Sequence, residues 1–269
     1  MPHENVRLEF NNHIAVITLD RSEKRNALNE QMFASLEACI KTVEAERPRV
    51  LVLTGEGHRA FCAGFDVHPD NPMNEYMLQA VANKDTSEAL KSIGRIREVA
   101  DALFALPMPI IAAVNGLAFG GGAEIATRCD LRVMDPHAVI CFSETSLGLM
   151  PDFGGIPSLV RLVGPSLAAD LILTARKVSA REAFNLKLAN RVSAPGKAID
   201  EALALAETIA TNGPRAVRAA LEVIRRSQDM PLEAALALEL ERAVDLVVSG
   251  EFIYGVSAFL EKKPPEFPE

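Results

Sequence analysis

Tryptophan is absent from this 269-residue chain, and aromatic residues make up only 5% of it. Aliphatic side chains must therefore fill the core, within a hydrophobic share of 49% and a charged share of 24%. Positive charge is also short: 28 Lys and Arg against 36 Asp and Glu give a net charge of -8. Nucleic-acid binding needs a basic face, so that partner is not expected, and any anionic ligand must rely on local cations. The four cysteines, Cys39, Cys62, Cys129 and Cys141, form no CxxC pair, which disfavours a zinc site or disulfide framework and suits a reducing compartment. His3, His13, His58 and His137 show no ligand spacing with one another or with the acids, so no metal is expected. No apolar run reaches the roughly 18 residues of a membrane span, and no presequence pattern opens the chain. A soluble, cytoplasmic protein with no membrane partner is the expectation.

What is present is an α/β pattern. Short β-type runs at Ile14–Leu19, Val50–Thr54, Ile110–Val114 and Val139–Phe142 alternate with helical patterns at Asn29–Glu46 and Ser87–Leu106. From about Gly155 alanine-rich amphipathic helices follow near Ser166–Thr174, Ala198–Thr211, Pro214–Ser227 and Leu232–Val248, which predicts an all-helical C-terminal third. Ser179 and Glu182 have the spacing of a capping box. The polar stretch His68–Thr86, with Pro69 and Pro72, reads as a long surface loop.

The segment Asn115–Glu124 carries the most information: a glycine run, Gly120-Gly121-Gly122, follows an apolar strand and ends in a carboxylate at a helix start. Glycines let backbone N–H groups approach a ligand closely, and helix N-termini favour negative charge. Glycine at such turns is also common for geometry alone, and neither a P-loop nor a GxGxxG fingerprint is present. A second corner, Ala60–Val67, follows the Val50–Thr54 strand and can aim the Phe65 amide at the same pocket, although Phe65 equally suits a core aromatic. Two donors of this kind can stabilise a thioester carbonyl as it becomes an enolate. Glu144 lies directly after the Val139–Phe142 strand. Glu124 also reads as a first-turn helix acid, Glu144 as a solvated loop carboxylate, and Asp152 as a helix cap or turn residue. Lys24 and Arg25 are the nearest candidates for phosphate contacts and otherwise ordinary surface charges. His68 lies beside no nucleophile and reads as a polar loop residue.

In order along the chain, Glu23–Leu28, Phe61–Asp66, Ala113–Glu124, Leu147–Pro151 and Gly255–Lys262 resemble the crotonase, or enoyl-CoA hydratase/isomerase, superfamily. The resemblance implies a β-β-α spiral core, taken as residues 1–195, and a helical C-terminal region, 196–269, that assembles a homotrimer or a dimer of trimers. It also implies an acyl-CoA substrate and no separate cofactor. The Phe65 and Gly121 amides would form the oxyanion hole, with Lys24, Arg25, Ala63, Gly64, Asp66, Val67 and Gly120 around the CoA thioester. Phe65 replaces the family's usual small residue, implying a narrower acyl pocket.

Glu124 and Glu144 match the two glutamates that activate and deliver water in hydratases, with Glu144 as the proton donor to Cα. Two carboxylates around one water repel, so one is expected to start the cycle protonated. The leading expectation is hydration of a trans-2-enoyl-CoA to a 3-hydroxyacyl-CoA, with fatty-acid β-oxidation as the default setting. Asp152 departs from the hydratase pattern. Its spacing from Glu144 resembles dienoyl-CoA isomerases, and an isomerase is the alternative, although those enzymes usually carry aspartate where Glu124 stands.

Overall fold

A computed structural model describes residues 2–3 and 5–268. Seven strands form the main sheet: β1 (Pro2–His3), β2 (Val6–Asn11), β3 (Ile14–Leu19), β4 (Val50–Gly55), β6 (Ile110–Val114), β8 (Leu131–Met134) and β11 (Arg191–Val192), in the order β1-β2-β3-β4-β6-β8-β11. A second sheet orders β10 (Val178–Ser179), β9 (Val139–Cys141), β7 (Leu117–Phe119) and β5 (Ala60–Cys62). From β3 onward the main sheet is parallel, as is β5-β7-β9 in the second.

Parallel strands covered on both faces read as continuous apolar runs, and β4 and β6 show why. Leu51 and Leu53 of β4 and Ile110, Ala112 and Val114 of β6 face the larger core cluster. The alternate residues Val50, Val52, Ile111 and Ala113 face a smaller one, which Ala202, Ala206 and Ala210 of α8 (Ala198–Ala210) close. Alanine every fourth residue keeps one stripe of that helix small enough to lie close to the sheet. On the other side, α1 (Glu30–Glu46) and α3 (Thr86–Ala105) contribute Leu36, Ile40, Ile96 and Leu103.

The remaining helices are α2 (Met73–Asn83), α4 (Gly121–Arg128), α5 (Gly155–Val163), α6 (Pro165–Thr174), α7 (Ala180–Asn185), α9 (Pro214–Ser227), α10 (Leu232–Ser249) and α11 (Glu251–Glu261). Helix α2 corrects the surface-loop expectation for His68–Thr86. Pro72 sits at its start, where a missing N–H costs nothing, and Met73 and Ala80, two turns apart, supply its buried side. The C-terminal third is not all helical either, since β10 and β11 each add two residues to a sheet edge. Such pairings are too short to leave a period. The capping box is half made: the Glu182 N–H donates to Ser179 Oγ at 3.3 Å, but the Glu182 carboxylate pairs with Arg176 at 2.6 Å instead of returning the bond.

Candidate active site

The site follows from the register of the second sheet. Strands β5, β7 and β9 run parallel, so their C-terminal ends lie side by side. Those ends lead into Gly64-Phe65, Gly120-Gly121 and Ser143-Glu144, residues far apart in sequence. The Gly120 N–H donates to Cys141 O at 2.9 Å and ties the second end to the third. Gly64 has φ 91°, and a Cβ there would lie 2.7 Å from Phe119 O and 3.1 Å from Gly121 N. The two glycine corners therefore abut, an approach no larger residue allows.

Both expected amide donors are available. The Leu28 N–H donates to Gly64 O and the Asp66 N–H to Leu28 O, at 2.8 and 2.9 Å. In that parallel bridge the intervening Phe65 N–H points the opposite way. Gly121 begins α4, so its N–H has no intrahelical acceptor. The Phe65 side chain is half-buried against the main core, so the residue serves the core with its ring and frees its amide.

Glu124 stands in the first turn of α4 and is completely buried, while Glu144, at the mouth of β9, is 9% exposed. Three N–H groups of one turn hold Glu124: Asp152 N at 3.2 Å to Oε1, and Phe153 N and Gly155 N, each at 2.8 Å, to Oε2. Among the described residues no donor reaches either Glu144 oxygen in hydrogen-bonding geometry. Burial, opposed by the Gly155 amide and reinforced by the Glu144 and Asp152 charges, pushes the Glu124 carboxyl up to about 8. Burial also raises Glu144, opposed by its own backbone N–H and by the Glu124 carboxyl beside it, and the nearby Asp152 charge adds to the rise. Together the two acids retain a proton across neutral pH.

Asp152 is half-buried, and its burial raises its own carboxyl. It does not cap a helix. The helix that follows is entered through Gly154 without a side-chain cap, and Asp152 instead contributes its backbone N–H to Glu124 and its charge to both glutamates.

The expected CoA-side residues divide. Lys24 and Arg25 are exposed and have no ion-pair partner among the described residues, whereas Arg25 O accepts the Ala63 N–H at 3.0 Å and fixes the loop. Asp66 faces inward. Its carboxylate takes Arg21 Nη1 at 2.5 Å and the His68 N–H at 3.0 Å, so it braces the corner. Val67 is exposed at its edge. Sequence reasoning missed Arg21, Arg128, Phe153 and Gly155; the only available signal for the last two was the Gly154-Gly155 pair just beyond Asp152.

Paired acids and two backbone amides without a hydrogen-bond acceptor among the described residues thus lie at the joined ends of parallel strands. The enoyl-CoA hydratase/isomerase family profile matches residues 9–269, and the chain belongs to that family of enzymes. It is 37% identical over 254 residues to a putative enoyl-CoA hydratase/isomerase of Bacillus subtilis, covering 94% of each chain. It is 34% identical to a short-chain-enoyl-CoA hydratase of Clostridium acetobutylicum, covering 99% of this chain and 98% of that one. Its fold matches the crystal structure of an enoyl-CoA hydratase from Bacillus anthracis with TM-score 0.90 and 33% identity, over 98% and 99% of the two chains.

Proposed function

We propose that this enzyme adds water to a trans-2-enoyl-CoA and releases a 3-hydroxyacyl-CoA. One observation carries the reading: Glu124 and Glu144 are buried together, and among the described residues none outside the pair donates to the Glu144 carboxylate, leaving it for water and substrate. The thioester oxygen accepts the Phe65 and Gly121 N–H groups, which gain strength as it becomes an enolate oxygen. The two acids share one proton; in the form that carries it on Glu144, the Glu124 carboxylate, seated on its three amides, takes one proton of water as the water oxygen bonds to Cβ. The π electrons move toward the thioester, and Glu144 delivers its proton to Cα. Proton exchange between the two acids resets the site.

Lys24 and Arg25 supply the phosphate contacts in this reading, while Ala63, Gly64 and Gly120 supply main chain around the thioester. No resident cofactor enters the proposed reaction, and the enzyme works in the cytoplasm. A homotrimer, or two stacked trimers, is supported by α10, whose Leu232, Leu236, Leu240 and Val244 form an exposed apolar stripe at four-residue spacing. No single helix among the described residues is long and apolar enough to cross a membrane; α10 and α11 pass only as a pair bent by 71°.

The position of Asp152 favours a second reading, proton movement along a dienoyl-CoA between Glu144 and Asp152 without water. Crotonyl-CoA, a longer trans-2-enoyl-CoA and a dienoyl-CoA separate the two by product mass. Addition of 18 mass units that is abolished in Glu144→Gln and survives in Asp152→Asn supports hydration. Mass-neutral conversion of the dienoyl substrate that needs Asp152 supports isomerisation. The hydration rate is expected to fall as pH rises through about 8, when the pair loses its deliverable proton.

A further inference from the structure

The turn that holds Glu124 is itself held by the same helix. Arg128 lies one helical turn beyond Glu124 in α4 and therefore on the same face. Its Nη1 donates to Phe153 O at 2.5 Å and its Nη2 to Asp101 Oδ1 at 2.7 Å, and its guanidinium lies 4.5 Å from the Phe104 ring centre. Phe153 is thus gripped at both ends of its backbone: its N–H by Glu124 and its C=O by Arg128. The guanidinium also lies close against Gly154, where a Cβ would come within 3.0 Å of Nη1.

The Phe153 side chain extends the linkage. Its ring lies under Gly121, where a Cβ would meet it at 3.2 Å, and stands 6.0 Å from the Phe33 ring of α1. One residue therefore touches Glu124 with its amide and the Gly121 position with its ring. Gly154, at φ 91°, has its carbonyl held by the Ser158 hydroxyl at 3.0 Å, but no side chain caps the helix that follows, and among the described residues only Arg128 donates to the Phe153 carbonyl. Asp101 in turn is shared with Arg97, one helical turn away on α3, which holds the guanidinium in place from the opposite side.

We propose that Arg128 is a positioning residue: by fixing the Phe153 carbonyl it aligns both the Glu124 carboxylate and the Gly121 amide. The inference rests on the hydratase reading for its kinetic consequence, but the alignment itself is a property of the fold. Misplacement by about an ångström costs on the order of 100-fold in rate, so the effect belongs in kcat. Lysine at this position keeps the charge but lacks the fork needed to reach Phe153 O and Asp101 together.

The test uses wild type, Arg128→Gln and Arg128→Lys, with crotonyl-CoA hydration for kcat and butyryl-CoA, which cannot be hydrated, for binding. The expected result is a kcat loss of about 100-fold in Arg128→Gln and about tenfold or more in Arg128→Lys, with butyryl-CoA affinity changed by less than about threefold. A kcat near wild type in folded Arg128→Gln overturns the proposal. So does a matched loss of butyryl-CoA affinity and melting temperature, which would make Arg128 a strut of the fold alone. If wild type hydrates no enoyl-CoA, the functional reading fails by itself. The positioning inference is then read from carbon-13 titration of the Glu124 carboxyl in charge-preserving Arg128→Lys: an upward-shifted midpoint upholds it, and an unchanged midpoint overturns it.

Discussion

Glu124 and Glu251 are both buried glutamates whose carboxylates accept backbone N–H groups. Glu251 opens α11 and takes the Arg215 and Ala216 N–H groups, each at 2.8 Å, so it caps α9 from another helix. Glu124 takes three N–H groups from the turn at 152–155. Each even lies against a glycine, Gly213 for Glu251 and Gly155 for Glu124. What differs is the company beyond the amides. Both meet the positive end of a helix, α9 for Glu251 and α5, through Gly155, for Glu124. Only Glu124 also faces a second buried acid, whose oxygens accept no hydrogen bond in good geometry among the described residues, and a third acid nearby. Burial with amide bonds is therefore a structural device in one region and, in the proposed reaction, part of a proton-handling pair in the other.

Removing charge from each acid gives the sharpest contrast. Glu124→Gln is expected to lower the hydration kcat by roughly 10²- to 10⁴-fold. Glu251→Gln is expected to keep kcat within about twofold and to weaken the fold by about 1–2 kcal/mol through the impaired cap. Steady-state kinetics and denaturant unfolding of both variants check the pair, and an activity collapse in Glu251→Gln would erase the distinction.

Filling the two glycines comes next. A Cβ at Gly155 would lie 2.4 Å from Glu124 Cγ, and one at Gly213 would lie 2.5 Å from Glu251 Oε2. Gly155→Ala is expected to cost about 100-fold in kcat by displacing the acid. Gly213→Ala is expected to cost about 1–3 kcal/mol of stability by overpacking, with kcat retained. Equal kinetic losses in the two would break the comparison.

The smallest effect concerns Glu144. Its folded carboxyl is raised by burial, so its contribution is fully present below the unfolded glutamate value and is lost as pH rises through the folded one. Glu144→Gln should therefore melt above wild type at pH 8, with the gain vanishing as pH falls to the unfolded glutamate value near 4.5. A stabilisation independent of pH would mean that the carboxylate charge is not its source.

The paired runs of β4 and β6 were legible because burial on both faces makes every position apolar, and α1, α8 and α9 because their periods persist for several turns. Helix α2 was not, because Tyr76, Leu78 and Val81 lie on its exposed side while only Met73 and Ala80 are buried, so its apolar residues mark no single face. The strand Leu117–Phe119 hid inside the glycine segment for want of length. Within the site, the Phe65 and Gly121 amides and the two glutamates could be named from the ordered motifs. Their meeting depends on the parallel register of β5, β7 and β9, which local pattern does not encode. Arg128 was illegible for a related reason: a cation in the last turn of a helix is ordinary, and its carbonyl partner lies 25 residues away.

The turn gripping Glu124 is built wholly from main-chain N–H groups, with no side chain donating. Evolution can therefore edit the side chain at 152 without dismantling the seat of the neighbouring acid. In the proposed reaction, a single codon at 152 separates one proton route from the other.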